Sequence, residues 1–421
     1  MMPLPRGLRA LAHRNFRLFL AGQGTSQTGN WLQLIATSWL MYRLTGSTLM
    51  LGLATFALQI PFLVLAPVAG VFLDRVDVRR VLFVTNSIAF LQALTMLTLV
   101  AGGAIAPWHL VAGNFVLGVV NACDAPARQS LLVRLVDDRA DLQNAIALNS
   151  TMMNFARFLG PMIGGAVIAA FGEVAGFALN SLLRFAVLGA LAAMRLRAKL
   201  TAAAVGGWLR QFSTGLRYAY GFLPSRSALL LLAATSITTQ SYSSLMPWFA
   251  KERFHGDSHT LGVLMSAAGL GAVSGMIYLA SRHSVRGLFR LIGWTAALAG
   301  AALIAFSLVT SLWPALPMVY LTGMGMMLTA ASTNTVLQTI VPDELRGRVA
   351  SLYVMSFLGV SPLGALFAGW AAEHGGAPNT LLVCGAVTLA CASLYAAQLP
   401  SIRHAIRPVY ERLGIVPRND A

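Results

Sequence analysis

The chain has 421 residues, of which 57% are hydrophobic and only 10% are charged. A soluble globular protein carries roughly a quarter of its residues as Asp, Glu, Lys and Arg, so this composition excludes a soluble protein and indicates that most of the surface faces lipid. The net charge of +16 does not indicate a nucleic-acid partner, because the arginines lie between apolar segments rather than in one patch.

Runs of mostly apolar residues, each about the 20 residues that cross a bilayer as a helix, recur along the chain. They predict an all-α polytopic membrane protein with twelve transmembrane helices near residues 17–42, 48–73, 81–102, 108–127, 145–170, 175–194, 228–249, 260–280, 287–309, 314–338, 348–371 and 378–398. The longest polar stretch divides these spans. It predicts an N-terminal six-helix bundle over 1–194, a basic cytoplasmic linker over 195–227, a C-terminal six-helix bundle over 228–400 and a cytoplasmic tail over 401–421.

The positive charges predict the orientation. Most of the 30 Lys and Arg residues fall on one side of the predicted spans, and only Arg43, Lys251 and Arg253 fall on the other. Since cytoplasmic loops carry the excess of Lys and Arg, both termini are expected to be cytoplasmic. We expect the first span to remain uncleaved, because no small-residue cleavage site follows it.

Span one is unusually polar for a membrane helix. Gln23, Gln27, Asn30 and Trp31 recur at helical spacing, and lipid cannot satisfy such polar groups. Their side chains must therefore face other helices or a cavity. Span seven carries a similar set, in which Thr238 and Tyr242 are the cavity candidates.

The loop after span two carries a recognisable pattern. Gly70, Asp74, Arg75 and Arg79 match the Gly-x-x-x-Asp-Arg-x-Gly-Arg-Arg/Lys signature of the major facilitator superfamily, although Asp77 stands where the family prefers glycine and Val78 where it often has arginine. This resemblance implies two six-helix pseudo-repeats, a substrate cavity lined by span one and alternating access. It also implies a latch in which Asp74 meets the start of span eleven, with Arg346 and Arg348 as ion partners. The alternative is that Asp74 is a solvated loop charge.

Three further stretches resemble particular branches of that superfamily. Gly160, Pro161, Gly164 and Gly165 are similar to the Gly-Pro-x-x-Gly-Gly motif of proton-coupled exporters. The stretches 124–132 and 142–150 resemble the group that contains the enterobactin exporter and macrolide efflux proteins. The resemblance implies outward, proton-driven transport. We interpret the glycines as helix-packing residues, since small residues permit close helix approach.

Asp124 is the acid placed deepest in a predicted span. A partly buried carboxylate can exchange a proton during a transport cycle, which makes Asp124 the candidate for proton coupling. The alternative is a structural pair with Arg75, Arg79 or Arg128.

Arg157 and Arg184 are the two cations within predicted spans. An arginine at the centre of a membrane helix costs roughly 2.5–3.5 kcal/mol on insertion scales, so each needs a partner or a water-filled cavity. Both are candidates for binding an anionic or oxygen-rich substrate, such as a catecholate or hydroxycarboxylate siderophore. The alternative is snorkelling or pairing with helix carbonyls.

No enzyme motif, metal-ligand spacing or nucleotide-binding loop occurs in the sequence. We therefore expect no enzymatic activity, cofactor or metal. The sequence predicts a monomeric inner-membrane transporter that exports a small molecule, a siderophore or similar metabolite, in exchange for protons. A broad-specificity drug or macrolide efflux pump and a lysophospholipid translocator are the alternatives.

Overall fold

The computed structural model describes residues 6–73, 76–133, 135–136, 139–194, 216–239, 241–282 and 284–416. Within these ranges the regular elements are helices and no strand occurs, as the sequence predicts.

The N-terminal part of the chain forms four helices in succession. A 3-10 turn over Arg6–Ala12 precedes α1 (Arg14–Thr45), α2 (Thr48–Leu73), α3 (Val78–Ala101) and α4 (Pro107–Val133). Helix α1 ends where Gly46 takes a left-handed conformation with φ of 63°, which glycine adopts without a Cβ clash. Helix α3 begins after Asp77, whose carboxylate accepts a hydrogen bond from the Arg79 backbone N–H at 3.0 Å.

A long helical run over Arg139–Ala193 is broken at Gly172, where φ is 80° and ψ is 174°. We name its two parts α5 (139–171) and α6 (173–193). The sequence predicts a break between 170 and 175, and the structure places it at the glycine because this backbone region is open essentially to glycine alone.

Gly172→Ala is expected to lower the free energy of unfolding by about 1–3 kcal/mol, because alanine is strained in this conformation. A Cβ at position 172 has no neighbour within 4 Å, so the expected loss is conformational rather than steric. Gly189→Ala in α6 is the matched control, since a Cβ there also meets open space but the backbone is helical. Thermal unfolding of both variants in one detergent measures the difference, and equal stability contradicts the prediction.

The C-terminal part of the chain has more interrupted helices. They are α7 (Leu223–Thr238), α8 (Tyr242–Trp248), α9 (Ser258–Ala280), α10 (Leu288–Leu308), α11 (Leu312–Ile340), α12 (Asp343–Val354), α13 (Ser361–Gly375) and α14 (Ala377–Arg412). A π-helical turn over Phe249–Arg253 follows α8, and another over Met355–Gly359 joins α12 to α13. Such turns add a residue to the helical repeat and re-aim the side chains that follow.

Nine segments of the described residues are long and apolar enough to cross a membrane. They are Thr48–Leu65, Val78–Ala101, Pro107–Val133, Asp141–Ala193, Ser258–Ala280, Leu288–Leu308, Leu312–Ile340, Asp343–Gly375 and Ala377–Arg412. The segment Asp141–Ala193 contains both predicted spans five and six. Predicted spans one and seven are not among the nine: α1 is rich in amide and hydroxyl side chains, and α7 and α8 are short.

The chain divides into two compact units. Unit 1 comprises Met1–Ala204 and Met246–Ser266, and unit 2 comprises Val205–Leu245 and Ala267–Ala421. The predicted linker lies largely outside the described residues, so its boundaries stay a prediction.

Each unit has its own apolar core. In unit 1, Phe16, Leu82 and Leu131 belong to a buried cluster that includes residues of α1, α3, α4 and α6. In unit 2, Ile402, Ile406 and Tyr410 lie at helical spacing and join a buried cluster with residues of α10 and α11. This packing explains why α14 continues to Arg412, through part of the predicted tail.

Candidate functional site

Asp124 lies on α4 and is 5% exposed. Its Oδ2 lies 2.8 Å from Nε of Arg128, one turn further along the same helix. Its Oδ1 accepts hydrogen bonds from the Thr85 hydroxyl at 3.0 Å and from the Asn86 side-chain amide at 2.9 Å, both on α3. Because a buried carboxylate loses its hydration, these three partners supply the interactions that water would otherwise provide.

Arg128 extends this network to α1. Its Nη1 donates a hydrogen bond to Oε1 of Gln23 at 2.9 Å, so one guanidinium bridges the Asp124 carboxylate and an amide of another helix. The alternative role for Asp124 is a structural pair with Arg75, Arg79 or Arg128, and the structure contains the pair with Arg128. The network thus links α1, α3 and α4 through side chains rather than backbone.

A second set of buried amides crosses the same unit. Gln33 on α1 donates from Nε2 to Oε1 of Gln92 on α3 at 2.9 Å, and its Oε1 accepts from Nδ2 of Asn180 on α6 at 2.6 Å. All three side chains are at least 92% buried. They tie α1 to α3 and α6 within this unit.

Three buried polar residues of α3 belong to these networks without having been predicted as site residues: Thr85, Asn86 and Gln92. Thr85 and Gln92 are separated by seven residues, which places them on one face of α3 two turns apart. The sequence pattern that could identify them is a stripe of polar residues within an apolar span, because lipid cannot satisfy the hydrogen bonds of such residues.

Arg184 lies near the middle of α6 and is 3% exposed. Its Nη2 donates to Oδ1 of Asn30 on α1, so the structure brings together two of the predicted cavity residues. Its Nε has no hydrogen-bond acceptor among the described residues. Within the same described ranges, no carboxylate lies within ion-pair distance of Arg184.

A pocket lies between α1, α3, α4 and α6, and its empty space of about 300 Å³ includes space open to solvent. Its polar lining consists of Gln23, Ser26, Asn86 and Arg128, and apolar side chains that include Phe19, Leu82 and Val187 line the rest. A mostly apolar cavity with a few convergent polar groups is typical of small-molecule sites.

The other predicted cavity residues are placed as follows. Gln27 and Trp31 are half-buried on α1, and Arg157 is half-buried on α5. In unit 2, the Thr238 hydroxyl lies 2.6 Å from the Thr388 hydroxyl of α14, and Tyr242 is buried at the start of α8.

The span-five glycines lie at two close helix approaches. A Cβ at Gly160 would lie 2.6 Å from the Trp31 Cβ, and one at Gly164 would lie 3.1 Å from the Leu32 Cα, so these glycines face α1. Gly165 faces the first turns of α9, where its own Cβ would lie 2.9 Å from the Gly262 Cα. Pro161 lies on the same helix, and its carbonyl oxygen also approaches Gly262.

The predicted latch is described only in part. Asp74 and Arg75 lie outside the described residues, so their role stays a prediction. Gly70 lies on α2. Arg79 donates from Nη2 to the backbone oxygens of residues 191 and 192 at 3.3 and 3.1 Å, where a cation complements the carbonyl end of α6.

The two arginines named as latch partners lie on α12. Arg346 forms an ion pair with Asp343 one turn earlier on the same helix, and both side chains are solvent-exposed. Arg348 is half-buried.

Comparison with known proteins places the chain in a sequence family. The model of the transmembrane secretion effector family matches residues 6–411. The staphyloferrin A transporter of Staphylococcus aureus is 25% identical over 366 residues, which are 86% of this chain and 90% of that protein. The multidrug efflux pump Tap of Mycolicibacterium fortuitum is 28% identical over 388 residues, which are 87% of this chain and 91% of that protein.

Solved structures share the fold at low sequence identity. A POT family transporter in complex with a thioalcohol-conjugated peptide aligns with a TM-score of 0.72 at 12% identity, covering 92% of this chain and 96% of that chain. A bacterial homologue of the human lysosomal transporter Spinster, in an inward-facing and unoccupied conformation, aligns with a TM-score of 0.69 at 14% identity, covering 93% and 98%.

Proposed function

Because this chain belongs to the transmembrane secretion effector family of major facilitator transporters, we propose that it exports a siderophore or a similar small metabolite across the inner membrane. Transport proceeds by alternating access, and an inward proton flux drives it. The similarity to a staphyloferrin A transporter supports a siderophore-like substrate, and the resemblance of the Gly160–Gly165 stretch to proton-coupled exporters supports the coupling.

The proposed architecture has twelve transmembrane helices in two groups of six, with both termini in the cytoplasm. The break at Gly172 supports two spans within residues 139–193. The polar helix α1 has 32 residues, about 48 Å at 1.5 Å per residue, which exceeds the roughly 30 Å of a bilayer core. Its polar face then serves the interior rather than the lipid.

The observation that carries the proposal is the buried polar network of α1, α3, α4 and α6. Burying charged groups in a membrane protein is costly, and such groups are retained where a pathway for a substrate or a proton needs them. The Asp124–Arg128 pair and the Arg184–Asn30 contact are both more than four-fifths buried at the charged side chains. A protein that only spans the membrane needs neither.

A deletion strain tests the proposal directly. Mass spectrometry of cells and medium, with and without iron starvation, is expected to find an iron-regulated metabolite trapped in the mutant cells and depleted from their medium. Complementation with the wild-type gene is expected to restore export. Unchanged metabolite profiles contradict siderophore export.

Similarity to the multidrug efflux pump Tap over 87% of the chain favours drug efflux as the second candidate function. In that case the deletion strain becomes sensitive to several unrelated compounds while its secreted metabolites are unchanged. A lysophospholipid translocator is separated from both by measuring the leaflet distribution of a labelled lysophospholipid in the same strains.

A further inference from the structure

Arg184 is a buried cation without a carboxylate partner in the part of the chain that the structure describes. Arg128, the other well-buried arginine of this bundle, is neutralised by Asp124 at 2.8 Å. The carboxylate of Asp124 is already engaged by Arg128, Thr85 and Asn86. Asp124 therefore acts on Arg184 only from beyond ion-pair distance, and Arg184, near the middle of α6, has no carboxylate in direct contact among the described residues.

Of the two Arg184 nitrogens that can bind a carboxylate side by side, one has an acceptor and the other has none among the described residues. The Nε and Nη2 donors of a guanidinium point the same way and bind the two oxygens of a carboxylate side by side. In Arg184 the Nη2 donor is used by the neutral amide oxygen of Asn30, and the Nε donor has no acceptor among the described residues. A ligand with two adjacent oxygens and a negative charge would satisfy both donors and the charge together.

The pocket between α1, α3, α4 and α6 comes within one helical turn of this pair. Ser26 of the pocket lies four residues before Asn30 on α1, and Val187 of the pocket lies three residues after Arg184 on α6, so each is a same-face neighbour. The empty space of about 300 Å³ at this pocket includes space open to solvent, so a ligand group can approach the Arg184–Asn30 pair from the pocket.

We propose that Arg184 is the receptor for a carboxylate or catecholate group of the transported molecule, and that Asn30 holds its Nη2 donor when no ligand is bound. This inference rests on the proposed transport function and names the substrate class of the same site. The ligand group enters from the pocket, displaces the Asn30 amide and binds Nε and Nη2 together.

Purified protein and two matched probes test the proposal. Benzoate and benzamide have nearly the same shape, but only benzoate is anionic at neutral pH. Thermal unfolding at increasing probe concentration gives a dissociation constant for each, since a ligand that binds the folded state raises its stability. We expect benzoate to bind the wild-type protein at least about tenfold more tightly than benzamide, a difference of about 1.4 kcal/mol.

Substitutions at Asn30 distinguish a ligand-binding role of Arg184 from a purely structural role. Asn30→Asp places a carboxylate of the chain itself against Arg184, so the protein is expected to become more thermostable and to lose its preference for benzoate. Asn30→Ala leaves both donors free, and the preference for benzoate is expected to persist. Arg184→Gln removes the charge and should abolish the preference, and because this variant risks misfolding, Asn30→Asp provides the independent test.

Equal binding of benzoate and benzamide by the wild-type protein contradicts the proposal that Arg184 binds the anionic group. An unchanged preference for benzoate in Asn30→Asp also contradicts it. Export from cells is measured separately for the same variants. If the wild-type protein exports a metabolite but binds benzoate and benzamide equally, the proposed export function stands and the proposed role of Arg184 is wrong. If no export occurs in any assay, the transport function itself fails.

Discussion

Asp124→Asn is expected to lower the free energy of unfolding on the order of 3 kcal/mol, because it leaves the buried Arg128 without its counter-charge. The substitution keeps an oxygen that can accept from Thr85 and Asn86, which now bond Oδ1 at 3.0 and 2.9 Å. The loss therefore reports the charge pair rather than the neighbouring hydrogen bonds. Thermal unfolding in a single detergent measures it.

Arg128→Met in the Asp124→Asn background is the matched control. Replacing a buried ion pair by neutral and apolar groups of similar volume is often neutral or stabilising, so the double variant is expected to recover most of the lost stability. A double variant less stable than Asp124→Asn alone contradicts the pairing. The two residues are in contact, so their effects are expected to be non-additive.

The stable double variant also decides between the two roles considered for Asp124. If Asp124 carries the coupled proton, reconstituted double variant exchanges substrate between equal compartments but no longer responds to a pH gradient. If the pair is purely structural, the double variant transports substrate in response to the gradient as the wild-type protein does. Measurement of both activities in proteoliposomes separates these outcomes.

Sequence spacing predicts those parts of the site that depend on one helix. The i, i+4 relation of Asp124 and Arg128 places them on the same face of α4, and their ion pair at 2.8 Å follows from that relation. The polar face of α1 is similarly evident from Gln23 and Asn30, which lie at helical spacing and both accept hydrogen bonds from buried arginines.

Contacts between helices are not encoded by such spacing. Arg184 and Asn180 share one face of α6, yet each bonds a different residue of α1: Asn180 bonds Gln33, and Arg184 bonds Asn30. The choice depends on how α1 packs against α6, which hydropathy does not specify. For the same reason the sequence did not reveal that Thr85 and Asn86 surround Asp124.

Helix interruptions show a similar limit for the fold. The apolar run near 348–371 predicts one span, and Asp343–Gly375 is one membrane-length segment, but the run does not reveal the π-helical turn over Met355–Gly359 that joins α12 to α13 within it. Apolar length determines whether a segment can lie in a membrane, whereas a π turn depends on local packing. The break at Gly172 is an interruption that the sequence does predict, between residues 170 and 175. Its φ of 80° is favourable for glycine and strained for other residues.

Gly165→Leu is expected to abolish export and to lower the free energy of unfolding by about 3 kcal/mol or more, at or beyond the upper end of overpacking effects. Even a Cβ at this position would lie 2.5 Å from the Ser258 backbone oxygen and 2.9 Å from the Gly262 Cα. Those atoms belong to the backbone of α9 and cannot rotate away as a side chain can. The Ser258 hydroxyl also donates to the Gly165 carbonyl at 3.3 Å, a bond that requires the two helices to stay close.

Gly189→Leu makes the comparison specific, because Gly189 is exposed on α6 and a Cβ there has no neighbour within 4 Å. Leucine is favourable at such a position in lipid, so this variant is expected to keep wild-type stability and export. Any motion of α9 against α5 during transport has to open and re-form the crossing at Gly165 and Gly262, and a leucine prevents it from closing. Equal stability and export in the two leucine variants would mean that the crossing tolerates separation, and that the span-five glycines serve neither packing nor gating.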